Sequence, residues 1–252
     1  MAHALVTGAS RGIGRATAIA LSARGDRVAA HYGADRAAAE QTLALLHGEG
    51  HTLIGGDLSD PAVAQRVVDD ATRTLGTIDV LVNNAALAPS PDTRHPIVGT
   101  DYATWQRVWT RMLDVDLLAA ANVTYLVANH IIEAGGSGTI VNVGSRGAHR
   151  GEPDFPAYGA AKAGLHAFGQ SMAVALAPHG IAVATVAPGF IGTERQQAKL
   201  ESTEGDAVRA QSPFGRVGTA EEVAAAIVYL ASADAQWASG AVLDLNGASH
   251  LR

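Results

Sequence analysis

Tyr158 and Lys162 stand four residues apart in Tyr158-Gly159-Ala160-Ala161-Lys162, a spacing that puts a phenol and an ammonium side by side on one helical face. A phenol in water has a pKa of about 10 and is a poor base near neutrality. A neighbouring positive charge favours its ionised form, so Lys162 can make an acid–base group of Tyr158. Alone, the pair reads first as a solvated helix face. Ser145 reverses that reading. It follows the apolar run Thr139-Ile140-Val141-Asn142-Val143-Gly144, which predicts a buried strand with the hydroxyl at its carboxyl end. Open parallel sheets bind ligands there.

The elements that must position these groups follow from the pattern of the whole chain. Short β-rich runs alternate with longer alanine-rich amphipathic segments, the pattern of repeated βαβ units and a parallel sheet. The predicted strands are Ala4–Thr7, Arg27–Tyr32, Thr52–Gly55, Val80–Asn83, Thr139–Val143, Ala182–Ala187 and Ala241–Leu245. No internal linker interrupts them, so residues 1–252 are expected to form a single domain. Two stretches leave the rhythm. Leu87–Thr100, punctuated by Pro89, Pro91, Pro96 and Gly99, is expected to be an exposed loop at a substrate mouth. Thr193–Gly215 is polar with weak periodicity and is expected to be a mobile substrate lid.

Composition removes several classes of function. With 48% hydrophobic and 17% charged residues among 252, the chain can bury a sizeable core and lacks the signature of disorder. A formal charge of −6 and no basic cluster argue against nucleic acid as a partner. The absence of cysteine removes disulfides and thiolate chemistry and suits a reducing compartment. The amino terminus does not read as a secretory signal, and no run approaches the ~20 apolar residues that span a bilayer. A cytoplasmic protein with no membrane partner is expected.

The first strand runs into Gly8-Ala9-Ser10-Arg11-Gly12-Ile13-Gly14, followed by a helical pattern. Such a turn presents unpaired backbone N–H groups at the positive end of a helix dipole, where a pyrophosphate is favoured. Gly8, Ser10, Arg11, Gly12, Ile13 and Gly14 are therefore candidate dinucleotide contacts. Roughly 20 residues on, an NAD site usually carries a carboxylate for the ribose 2′-hydroxyl. Tyr32 falls at that position, with Arg36 close behind and Arg11 inside the turn, which favours NADP(H). Asp35 keeps NAD(H) open.

Together these residues resemble the short-chain dehydrogenase/reductase family, in its short single-domain branch. The resemblance spans nearly the whole chain: the glycine turn, Asp57, Asn83-Asn84-Ala85-Ala86, Ser145, Tyr158-x-x-x-Lys162, Pro188-Gly189-Phe190-Ile191-Gly192-Thr193 and Ser239-Gly240. It implies a Rossmann-type doubly wound α/β fold of about seven parallel strands flanked by helices. It also implies hydride exchange between a nicotinamide and a ketone or secondary alcohol. By resemblance, Asp57 and Leu58 flank the adenine, and Asn84 and Ala85 support the central strand beside the cofactor. Pro188, Gly189 and Ile191 join the cofactor contacts, Thr193 holds the nicotinamide amide, and Tyr158 and Lys162 complete the set. Bland readings stand beside three of these: Asp57 capping the helix near Pro61, Asn84 satisfying loop backbone, and Thr193 capping the lid helix.

In this reading Ser145 polarises the carbonyl, Tyr158 moves the proton and Lys162 tunes the phenol and binds the ribose. Many members of the family add an asparagine to this set. Here Asp116, in Leu113-Asp114-Val115-Asp116-Leu117-Leu118, occupies that position and is expected to substitute for it structurally. The overall pattern also resembles 3-oxoacyl-carrier-protein reductases, although no basic docking patch for an acidic carrier is evident, so a small ketone or alcohol is preferred as substrate. A non-catalytic NADP-binding regulator is a further alternative, which the intact Ser145, Tyr158 and Lys162 disfavour. A homotetramer is the family implication for assembly.

Other chemistry fits less well. His47 and His51 lack a third ligand, which disfavours a metal site. Val143 stands where a Gly-x-Ser-x-Gly hydrolase elbow needs its first glycine.

Overall fold

The structure, a computed structural model, describes residues 1–252. Nine strands form: β1 His3–Val6, β2 Arg27–Tyr32, β3 Thr52–Gly55, β4 Val80–Asn83, β5 Gly138–Val143, β6 Ile181–Pro188, β7 Ile191–Gly192, β8 Gly218–Thr219 and β9 Val242–Leu245. Seven of them make one sheet in the order β3-β2-β1-β4-β5-β6-β9, with every neighbouring pair parallel. The predicted strands agree to within a residue at each end. Thr7 lies one residue past β1; its hydroxyl donates to the Val82 carbonyl at 3.2 Å and accepts the N–H groups of Asn84 and Ala85 at 2.9 and 3.0 Å.

The helices are α1 Gly12–Ala23, α2 Arg36–Ala44, α3 Pro61–Leu75, α4 Tyr102–Leu113, α5 Ala119–Glu133, α6 Gly147–Arg150, α7 Pro156–Leu176, α8 Gln197–Glu201, α9 Gly205–Arg209 and α10 Ala220–Leu230. They cover both faces of the sheet. Successive strand residues point to opposite faces, and β1 shows it: Leu5 enters one core with Leu81, Ile140, Val123 and Val67, while Ala4 and Val6 enter the other with Val28, Val141, Leu21 and Ile227. Burial on both faces explains why these strands read as unbroken apolar runs. From β1 the chain builds outward to β2 and β3, then resumes on the other side with β4. This reversal opens a crevice at the carboxyl ends of β1 and β4.

Local chemistry sets the helix starts. Asp35, Asp60 and Asp101 each accept a first-turn N–H of the helix that follows, and Thr219 and Glu222 form a reciprocal capping pair on α10. Tyr102–Glu133 is one continuous helical path of 32 residues, long and apolar enough by composition to cross a membrane. Its inner residues Val123, Val127 and Ile131 are instead packed against the sheet in the first core. Between α4 and α5 the path widens into a π-turn over Asp114–Leu118.

The first irregular stretch departs from expectation. Leu87–Thr100 exposes Ile97 and Val98, but His95 within it is fully buried. The imidazole donates from Nδ1 to the Thr93 carbonyl at 2.7 Å, and its Nε2 accepts the Ala157 N–H at 3.1 Å. It packs edge-on against Trp105 with ring centroids 5.6 Å apart. The loop is thus pinned to the start of α7 and is not exposed throughout. Thr193–Gly215 folds into a short 3₁₀ turn, α8 and α9. It leaves and re-enters the body on a two-residue parallel ladder, Ile191 beside Gly218 and Gly192 beside Thr219.

Candidate active site

Helix α7 carries both Tyr158 and Lys162 one turn apart, and β5 delivers Ser145 two residues beyond its end. Ser145 is buried, and its Oγ accepts the Gly147 N–H at 3.0 Å. With that lone pair engaged, the hydroxyl keeps its proton for donation, to the Tyr158 oxygen here or to a ligand oxygen. Lys162 is 3% exposed. Its Nζ donates to the Val143 carbonyl at 3.1 Å, lies 3.8 Å from Asp116 Oδ2 and sits 5.8 Å from the centre of the Tyr158 ring.

Desolvation is the largest influence on all three titratable groups. Burial pushes the Tyr158 phenol well above its ordinary range; the Ser145 hydroxyl pulls it back, while the Asp116 and Glu152 carboxylates push it further up. From the sequence Lys162 is expected to lower the phenol's pKa; in the structure desolvation moves it the other way, with the Asp116 carboxylate, 3.8 Å from Lys162 Nζ, adding to the rise. Burial also raises the Asp116 carboxyl and lowers the Lys162 amine, and their mutual attraction opposes both shifts.

Asp116 is 1% exposed on the π-turn. Its Oδ1 accepts the Leu87 N–H at 2.6 Å, tying the mouth loop to the helix, while Oδ2 has no hydrogen-bond donor. An asparagine could keep the Leu87 bond and the helix widening but would remove the negative charge. Asp116→Asn is therefore expected to retain turnover within a few-fold. Because the lost carboxylate was raising the phenol's pKa, the alkaline rise of alcohol oxidation should move to lower pH. A pH–rate profile with no displacement, or a loss of turnover as large as that from removing the Tyr158 hydroxyl, would reject this.

The glycine turn suits an anion. Gly12 donates its N–H to Glu194 Oε2 at 3.2 Å, and Arg15 reaches the other oxygen at 3.3 Å. A carboxylate thus sits at the amino end of α1, where the helix dipole favours an anion. Gly14 cannot be anything larger: a Cβ there would lie 2.3 Å from the Gly8 carbonyl oxygen and 2.4 Å from Asn84 Nδ2. Asn84 donates to the carbonyls of Thr7 and Gly8 at 2.8 and 3.0 Å, so it satisfies loop backbone and in doing so fixes β4 against the turn. Ser10 lies within the turn, Ile13 in the first turn of α1, and Leu58 is buried beyond β3.

Asp35 caps α2 and pairs with Arg11 at 2.9 Å. Arg36 reaches forward along its own helix to Glu40 at 2.8 Å, and the Tyr32 ring lies over Gly55. Asp57 accepts from Ser59 and from Arg111 at 2.7 Å, leaving Asp60 to cap α3. Thr193 makes no capping bond; its methyl faces Gly12 across the crevice. Pro188 ends β6, the Gly189 N–H bonds the Leu245 carbonyl at 2.9 Å, and Ile191 is buried in β7.

Sequence reasoning did not assign His31. It is buried on β2, accepts the Gly8 N–H at Nδ1 (3.2 Å) and faces the Gly56 carbonyl with Nε2 (2.9 Å). Burial lowers its pKa to about 4, so the neutral ring props the glycine turn throughout the neutral range. Its position one residue before the end of a buried strand was the available signal.

A family model described as Enoyl-(Acyl carrier protein) reductase matches residues 8–250. The chain belongs to the short-chain dehydrogenase/reductase family. Among curated relatives, L-rhamnose 1-dehydrogenase (NAD(P)(+)) of Sphingomonas sp. (strain SKA58) is 36% identical over 98% of this chain and 95% of its own length. Cis-4-hydroxycyclohexanecarboxylate dehydrogenase of Sinomonas cyclohexanicum is 37% identical over 97% and 94%. The 3-oxoacyl-[acyl-carrier-protein] reductase FabG of Escherichia coli (strain K12) is 34% identical over 98% and 97%. This short-chain dehydrogenase/reductase is accordingly an oxidoreductase of the ketone and secondary-alcohol class, in a family whose members bind NAD(P)(H).

Proposed function

We propose that this protein is an NADP-preferring reductase of a small or medium-sized ketone, acting as one catalytic unit over residues 1–252 with residues 193–215 as its substrate lid. Bound nicotinamide supplies the hydride, or accepts it in the reverse direction. As the substrate oxygen gains negative charge, Ser145 donates a hydrogen bond to it and Tyr158 delivers the proton. Lys162 binds the nicotinamide ribose and holds positive charge beneath the phenol, and Asp116 takes the structural place of the usual asparagine. The raised phenol suits the reductive direction, because the group must be protonated to act as an acid.

The observation that carries this reading is the convergence of Ser145, Tyr158 and Lys162, from β5 and α7, at the end of the sheet where the glycine turn presents its N–H groups. Cofactor oxidation tests it directly: purified protein with NADPH or NADH should reduce some members of a varied ketone panel. Binding of cofactor without consumption across that panel would favour a regulator.

Preference for NADP rests on Arg11 and Arg36 near the second strand's end. Asp35 already engages Arg11, so the guanidinium must re-pair to reach a 2′-phosphate. Arg11→Ala is expected to raise the KM for NADPH by about ten- to a hundredfold, the worth of a hydrogen bond to a charged group, with the KM for NADH nearly unchanged. Equal losses with both cofactors would remove the NADP assignment.

The second reading is reduction of a carrier-bound 3-oxoacyl chain, favoured by the 34% identity to FabG over almost the full length of both chains. Turnover of an acyl-carrier substrate at least as fast as that of its short free thioester would establish it. A cytoplasmic homotetramer is the assembly and location proposed from the family, and sedimentation of the purified protein checks the former.

A further inference from the structure

One turn beyond Lys162 on the same face of α7 lies His166, a buried imidazole to which the reaction gives no role. Its Nε2 faces the backbone of the catalytic strand's end and accepts the Ser145 N–H at 3.3 Å. The preceding residue makes room for it. A Cβ on Gly144 would lie 2.0 Å from His166 Nε2, so the ring occupies space that only glycine leaves open. The other ring nitrogen, Nδ1, stands 3.2 Å from Nε2 of His149 on α6, with ring centroids 5.0 Å apart.

The protons on this pair follow from donor and acceptor counting. A neutral imidazole has one donor and one acceptor nitrogen. Because the Ser145 amide can only donate, His166 Nε2 must be bare and Nδ1 must carry the proton. His149 Nε2 must then accept it, which puts the His149 proton on its own Nδ1. The opposite tautomer would aim two N–H groups at each other behind Ser145.

We propose that His166 is a positioning residue for Ser145, with its tautomer held by His149. Ser145 is thereby fixed at two points, its amide by His166 from within the core and its Oγ by Gly147 from α6. Its hydroxyl proton is left as the group aimed at the substrate oxygen. This inference rests on the proposed role of Ser145 as carbonyl donor.

A pH dependence follows. The charged groups around His166 are His149 on α6, Lys162 on its own helix, and Asp244 and Arg252 from β9 and the carboxyl-terminal tail, with His250 adding to those near His149. Burial, reinforced by His149, Lys162 and Arg252, lowers the His166 pKa to about 4. The neutral ring therefore persists through neutrality. Protonation at acid pH removes the acceptor from Ser145, so turnover should fall on the acid side while dinucleotide affinity holds.

The test uses the full chain in two ways. Long-range proton–nitrogen NMR on the unsubstituted protein near neutral pH should show His166 protonated at Nδ1 and bare at Nε2; the opposite tautomer overturns the proposal whatever any variant does. In parallel, His166→Leu should lower kcat by about ten- to a hundredfold, the scale for a misplaced catalytic group, with NADPH affinity unchanged. His166→Gln, whose side-chain oxygen can accept the Ser145 amide, should restore most of that loss and flatten the acid limb. Unaltered kcat in a folded His166→Leu protein overturns the proposal. Should that variant not fold, His166→Phe takes its place, and an unaltered kcat there would overturn the proposal equally. If Ser145→Ala leaves turnover intact, the role of Ser145 fails while the His166 tautomer is untouched, which separates the two failures.

Discussion

Tyr158→Phe is expected to lower kcat for ketone reduction by about two to four orders of magnitude, the range for loss of a positioned general acid. The ring remains, so packing beside Met112, Ala157 and Ala161 is preserved, and the thermal midpoint should change little. Dinucleotide affinity should also persist, because the glycine turn lies on separate elements. The unsubstituted enzyme should show a matching pH signature. Since burial holds the phenol above its ordinary range, the protonated acid is present throughout neutrality and reduction should be nearly flat there. Alcohol oxidation needs the ionised form and should climb as pH rises. Stopped-flow measurement of both directions checks the sign, and a Tyr158→Phe enzyme with unreduced turnover would remove the mechanism.

The second large effect is expected at Gly14. Gly14→Ala places a methyl against the Gly8 carbonyl and the Asn84 amide at separations no relaxed contact tolerates. Relief must come from moving the turn away from β4, which breaks the Asn84 bonds to Thr7 and Gly8. Overpacking of this kind costs typically 1–3 kcal/mol of stability. The displaced N–H groups should weaken dinucleotide binding by about tenfold or more, since each charge-assisted bond contributes on the order of 1.5–3 kcal/mol. Denaturant titration and cofactor fluorescence read the two losses separately. Unchanged affinity with lowered stability would show that the turn does not carry the cofactor.

Much of this arrangement could be read from the chain because its carriers are local. The Tyr158–Lys162 spacing requires only a helix, the glycine turn only a strand followed by a helix, and the strands announce themselves as apolar runs because both faces of the sheet are covered. What escaped depends on partners distant in sequence. His95 bonds Ala157 62 residues away, and His166 reaches back 21 residues to Ser145. An isolated histidine gives no sign of which backbone amide it will meet. The same holds for charge. The Arg36 bond to Glu40 is an ordinary helical pairing, but the contact of Arg11 with Asp35 and the sharing of the Lys162 charge by Asp116 come from the tertiary fold. The stretch after Thr193 showed weak periodicity because α8 and α9 are five residues each, too short to express a repeat.

The pairing of β7 with β8 has a wider meaning. Because Ile191 and Gly192 are stitched to Gly218 and Thr219, the intervening residues form a clasp whose two ends are already closed. Lengthening such a closed excursion adds little entropic cost, roughly 0.6 kcal/mol per doubling. With residues 193–215 as the proposed lid, the polypeptide can exchange most of that insert while the seven-stranded sheet stays as it is, provided Glu194 keeps its contacts with Gly12 and Arg15; diversification of chemistry is then confined to a replaceable segment.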